Sequence, residues 1–264
     1  MSCLVVFFFL PTWAISLALI VLMLTAIYAG FRIGSYRRNR SPKPVEDTGS
    51  GSQVSALFGL SAFILGFTFS MASARYESRR SIMVDEVNNI GTAYLRTDLY
   101  PDSIGRKMKG LFRDYVDERI NYWENSRRDT ALMNASINRS NKIAMEIWKM
   151  VMDYSRQPNG FVPTSQMTPA MNAVIDIVTK RNQTYLNIVP EIIVGMLFML
   201  TICSAFLSGY SNKGTGVDWT VAIGFSLLSS LVIYITLDLD RSKRGVITLK
   251  EQHQLMVDFR KSIE

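Results

Sequence analysis

Histidine occurs once in the 264 residues, at His253, and cysteine twice, at Cys3 and Cys203. A lone imidazole cannot supply both a metal cage and a base for a nucleophile, and no other spacing of ligating side chains stands in for it. Both cysteines lie in apolar stretches, so a disulfide framework is not indicated. Glycine-rich phosphate loops and nucleophile–base pairs are missing as well. The residues therefore point away from an enzyme, and no cofactor and no metal are expected. Strand-like alternation is scarce. So is charge within four long runs, at 4–31, 54–74, 188–210 and 219–237, where Glu191 is the one acidic or basic residue.

A helix needs about 20 apolar residues to cross a bilayer core, and each run is about that long or longer. A soluble amphipathic helix would show polar residues every third or fourth position, and these runs do not. The first run exceeds a signal's apolar stretch of roughly 7–15 residues, and no basic residue precedes it. Arg32, Arg37, Arg38 and Arg40 follow it instead. Pro11, near its start, is tolerable there or kinks the helix. Lysine and arginine number 29 against 22 acidic residues, a net charge of +7. In a membrane protein that excess reports topology and lipid headgroups. No interleaving of aromatic and basic residues argues for nucleic acid.

The expected fold is all-α: four transmembrane helices with a helical cytoplasmic region inserted between the second and third spans. The expected boundaries are a first span at 1–36, a flexible loop at 37–53, and a second span at 54–75 that continues into water. A helical region at 76–187 follows, then the third and fourth spans at 188–240 and a basic tail at 241–264. The loop reads RRNRSPKPVEDTGSGS over 37–52, rich in Pro, Gly and Ser. Beyond Ala74 the chain carries no proline until Pro101 and no glycine until Gly91, so one long helix is expected, broken at Tyr100-Pro101-Asp102, with Asp102 as a cap. Met108, Leu111, Phe112, Tyr115 and Ile120 recur at helical spacing. So do Ile143, Met145, Ile147, Trp148, Val151 and Met152, and Ile175, Ile177 and Val178 lead to the third span. Residues 157–160 and Pro163 mark a loop. Charge beside the spans favours both termini in the cytoplasm of a cell (inner) membrane, although the basic stretch at 32–43 opposes this.

The second run reads VSALFGLSAFILGFTFSMASARYESRR over 54–80. Gly59, Phe63 and Phe67 share one helix face, extended by Met71. Ala62, Gly66 and Ser70 form a small-residue stripe that permits close helix packing in lipid. On residues alone, the phenylalanines face lipid, a neighbouring helix or a conduit.

Phe63-Ile64-Leu65-Gly66-Phe67, followed eight positions on by Arg75-Tyr76-Glu77-Ser78-Arg79, is similar to the second membrane helix of bestrophin anion channels. The whole chain resembles the bestrophin-like family of bacterial membrane proteins, through Asp238-Leu239-Asp240-Arg241 and Gly245 after the last span. The resemblance implies a homopentamer around one pore, small inorganic anions such as chloride as its cargo, and Gly59, Phe63 and Phe67 in a hydrophobic neck. Gly59 departs from the bulky residue usual there. Arg75, Tyr76, Glu77 and Arg79 would form a charged motif at the membrane exit, and Asp238, Asp240 and Arg241 a motif closing the last span. No acidic cluster like the calcium clasp of animal bestrophins follows that span.

Glu191 after Pro190 reads as an ordinary helix start or as a charge at a pore mouth. Asp238 and Asp240 have Arg241, Arg244 and Arg75 as candidate partners. The expected function is an oligomeric anion channel. The competing expectation is a non-conducting membrane scaffold or sensor whose helical region binds a partner.

Overall fold

The structure is a computed structural model and describes residues 11–40, 50–125, 129–241 and 245–264. Among these residues every regular element is helical. The helices are α1 (Thr12–Arg40), α2 (Ser50–Leu95), α3 (Asp102–Asn125), α4 (Thr130–Ser155), α5 (Phe161–Leu186), α6 (Glu191–Ser211), α7 (Trp219–Asp240) and α8 (Lys250–Ser262). Four of them, α1, α2, α6 and α7, contain apolar stretches long enough to span a bilayer. The expected residues 4–10 of the first run and Cys3 lie outside the described residues.

The chain forms two compact units, Met1–Ala74 with Ile188–Arg241, and Arg75–Asn187 with Ser242–Glu264. The first unit holds the four spans. Its α1 buries Ile15, Leu19, Met23 and Ile27 in a single stripe that continues through Gly30 and Gly34. That spacing of three and four places them on one face. The glycines let α1 approach α6 backbone to backbone. A Cβ on Gly30 would stand 2.1 Å from the Phe206 carbonyl oxygen, and one on Gly209 would stand 2.0 Å from that of Ile27. Lipid gives helices no hydrophobic reason to associate, so such close packing and hydrogen bonds take over. Ser230 Oγ donates to the Ser16 carbonyl (2.9 Å), and the hydroxyls of Ser61 and Ser204 lie 2.9 Å apart.

The second unit is a helical core outside the apolar runs. Phe112 and Tyr115 of α3, Ile147 and Val151 of α4, and Met167 and Met171 of α5 are fully buried together. Asp129 caps α4, its carboxylate accepting from the amides of Ala131 and Leu132 at 2.7 and 3.4 Å. Arg260 of α8 clamps Asp117 of α3 with two bonds of 2.7 and 3.1 Å.

Several boundaries differ from expectation. Residues 37–40 and 50–53 are helical rather than loop, and 41–49 lie outside the described residues. Arginines at 37, 38 and 40 suit the negative end of a helix dipole. Arg38 further donates to the carbonyls of Tyr210 and Asn212 (3.2 and 2.7 Å). Pro11 stands just ahead of α1 and accepts from Ala14 and Ile15, so it starts the helix and does not kink it. Pro101 plays the same part for α3, leaving Asp102 as its first residue rather than its cap. Pro163 lies in the first turn of α5, where the amide it lacks would have no helical partner. Met145 is exposed rather than in the core. The long second helix does run unbroken from the apolar segment to Leu95, and ends in a 3-10 turn over Arg96–Leu99 ahead of Pro101.

Candidate functional site

Helix α2 is the least covered of the spans. Of its most apolar stretch 6% is buried, against 28% for each of the other three. The residues that turn inward are Thr68 and Ala72, helped by Ile64 and Leu65. Phe58 meets Phe225 of α7 edge to face, with ring centroids 5.4 Å apart. The opposite face is bare. Phe63 is 71% exposed and Phe67 59% exposed. Gly59, Ala62, Gly66 and Ser70 are exposed beside them, and a Cβ on Gly59 or Gly66 would meet nothing within 4 Å. Among the described residues of one chain the expected packing stripe Ala62-Gly66-Ser70 is therefore exposed. Gly30, Gly34 and Gly209 are the close-approach positions instead.

Past the apolar segment, Arg79 is buried. Its Nε donates to the Thr184 carbonyl (3.4 Å) and its Nη2 to that of Asn187 (2.8 Å). These acceptors close the end of α5, where a helix leaves carbonyls without partners. Tyr76 packs against Met83, Trp123 and Leu249. Glu77 is exposed and sits 3.6 Å from Arg80. Arg75 is half-buried.

The two aspartates closing α7 are buried and hold backbone and hydroxyl groups. Asp238 Oδ1 accepts from Thr12 Oγ1 (3.2 Å), tying the start of α1 to the end of α7. Asp240 Oδ2 accepts from the Val189 amide (3.1 Å), just ahead of α6. The Arg241 amide closes α7 on the carbonyls of Leu237 and Asp238. Arg244 lies outside the described residues. Glu191 opens α6 in its first turn, with Pro190 in the capping position. No group of histidine, cysteine, aspartate or glutamate among the described residues is arranged to hold a metal. His253 stacks on Trp123, ring centroids 5.4 Å apart, and burial together with the charge of Arg181 lowers its pKa.

One charged cluster escaped the reading of the sequence. Glu86 of α2, Arg119 of α3 and Arg181 of α5 are all buried. Arg119 Nε donates to Glu86 Oε1 at 2.6 Å, and Arg181 Nη1 donates to Oε2. Burial pushes the Glu86 pKa up, but the two guanidiniums outweigh it and hold the carboxyl below its ordinary value. The signal lay in register. Glu86 falls in the buried stripe Ile82, Met83, Ile90, and Arg119 in the stripe Phe112, Tyr115, Val116, Tyr122. A charge on a core face is rare unless paired.

A model of the bestrophin-like domain matches residues 15–253. The chain belongs to the bestrophin-like family. A crystal structure of a bacterial bestrophin homologue from Klebsiella pneumoniae has a similar fold, with a TM-score of 0.63 at 11% identity. The match covers 93% of this chain and 98% of that one. Among curated proteins, none matches. For this bestrophin-like chain, fold similarity at that identity speaks for architecture, while any activity must come from its own side chains.

Proposed function

We propose that the chain is one subunit of an oligomeric anion channel and that α2 lines its conduit. The observation that carries this is the exposed stripe of Phe63 and Phe67 on the least covered span of a bestrophin-like chain. An isolated subunit leaves that face unpaired, so several copies around an axis would close it. A pentamer follows from the family resemblance. Rings of phenylalanine gate a narrow passage by dewetting, and their edges carry partial positive charge that favours an anion over a cation. Chloride and similar inorganic anions are the proposed cargo. Ala62, Gly66 and Ser70 would then seat the neighbouring copy's helix. Gly59 would leave the passage wide one turn away from Phe63. We further propose that the unit built on α3, α4, α5 and α8 lies in the cytoplasm with both termini, as the basic residues beside the spans favour.

The test is chloride efflux from liposomes holding the purified chain, beside a Phe63→Ala, Phe67→Ala variant. Efflux that the variant changes severalfold supports both the channel and its neck. Efflux equal in both removes the phenylalanines from the neck. No efflux from a folded, oligomeric protein, with a stoichiometric partner recovered from membranes, favours a scaffold instead.

A further inference from the structure

Two guanidiniums face one carboxylate in the Glu86–Arg119–Arg181 cluster, which among the described residues leaves one positive charge without a counter-charge. All three side chains are between 0 and 3% exposed. A guanidinium does not shed its proton in proteins, and Arg181 is pushed above its ordinary value: burial alone would lower it, but Glu86 together with Tyr185 and Tyr122 raises it. Tyr115, beside them, stays a neutral donor, since burial pushes its pKa well up. The charge state is therefore fixed, and a buried net charge is strongly disfavoured unless something neutralises it.

Beyond the two bonds to Glu86, much of the hydrogen-bonding capacity of the cluster is unspent. Arg119 Nη1 and Nη2, Arg181 Nε and Nη2, and the Tyr115 hydroxyl are all buried with no acceptor among the described residues. The flat faces of the guanidiniums are taken. Arg119 lies over the Tyr122 ring at 4.7 Å, and Arg181 lies over Tyr122, Tyr185 and Trp123 at 5.0, 5.8 and 6.0 Å. What remains is the in-plane N–H edges, where guanidinium donors meet an anion. A water molecule would accept from these donors but would leave the charge.

We propose that this cluster binds one small monovalent inorganic anion, of halide class, held by the free N–H edges of Arg119 and Arg181 and by the Tyr115 hydroxyl. One negative charge brings the cluster to neutrality, where a divalent anion would overshoot. Burial of all three side chains favours an ion of a few atoms over a larger one. The site belongs to the helical unit, apart from the α2 stripe proposed as a neck, and stands whether or not the chain conducts.

The test uses the full chain in detergent, exchanged into gluconate and titrated with bromide at constant ionic strength. A ligand that binds only the folded form raises Tm with its concentration. We expect Tm to climb as bromide is added, and the climb to vanish in Arg119→Met, which leaves Glu86 and Arg181 as a neutral pair. Tyr115→Phe should weaken the bromide dependence severalfold. A bromide dependence that survives unchanged in Arg119→Met overturns the assignment. Should that variant not fold, anomalous scattering from bromide-soaked crystals of the unaltered chain decides. A peak between the two guanidiniums supports the site, and a bromide data set with no peak there overturns it.

Discussion

Arg119 Nε lies 2.6 Å from Glu86 Oε1, and neither side chain has any exposure to solvent. The pair joins α3 to α2, across 33 residues of chain. Removing one partner of a buried pair leaves the other charge uncompensated and costs about 3–5 kcal/mol. Glu86→Gln, which leaves two guanidiniums facing an amide, should therefore destabilise the helical unit by roughly that amount, read by chemical denaturation in detergent. The same carboxyl sets a pH dependence. Its folded pKa is lowered from an ordinary 4.5, so its stabilisation is complete above that value and fades as pH falls toward the folded pKa. Stability measured downward from pH 5 should decline in the native chain and decline less in Glu86→Gln.

Gly209 and Gly66 should respond oppositely to the same substitution. A Cβ at Gly209 meets the Ile27 carbonyl at 2.0 Å, a backbone atom that cannot swing aside, whereas one at Gly66 meets open space within the chain. Gly209→Val should cost about 3 kcal/mol or more and deplete folded monomer and oligomer alike on size exclusion. Gly66→Val should leave the fold of the single chain intact. If the Gly66 variant elutes as folded monomer, the stripe serves subunit contact; if its oligomer is unchanged, the stripe faces lipid.

Asp240 holds the entrance of α6 through the Val189 amide, and both groups are buried. Asp240→Ala should cost about 1–3 kcal/mol by leaving that amide unsatisfied. Asp240→Asn retains an acceptor oxygen and should recover part of the loss. Thermal melts of the three proteins give the comparison. Equal melting of the alanine and asparagine variants would count against the amide bond as the role of this residue.

His253 against Trp123 offers an optical readout. Burial and Arg181 lower the histidine pKa from 6.5, so the ring stays neutral at pH 7. A lowered folded pKa in a base means that the stabilisation is present above 6.5 and is lost as pH falls through the folded value. Tryptophan emission should therefore titrate with a midpoint below 6.5 and lose that step in His253→Gln. A midpoint at or above 6.5 contradicts the buried, cation-facing environment.

Much of the architecture is legible without tertiary contacts. The spans follow from long apolar runs, and the unbroken α2 from the absence of proline between Ala74 and Pro101. In the helical unit, stripes such as Phe112, Tyr115 and Val116 announce a buried face because polar residues occupy the other side. These are properties of a window of chain, set by backbone sterics and by the cost of burying polar groups, and they need no knowledge of partners. The pairing of faces among the spans is another matter. Helices α1, α6 and α7 are apolar nearly all round, so no periodicity marks which side a neighbour covers. Gly66 and Gly30 look alike in sequence, yet one is bare and the other lies against the α6 backbone. The same holds for charge. Glu86 and Arg181 are 95 residues apart and become partners only where α2 and α5 bring them together. Hydropathy and helix breakers thus determined the elements and their order, while packing decided which glycines touch and which charges are buried, because both depend on distances that only the folded chain brings into range.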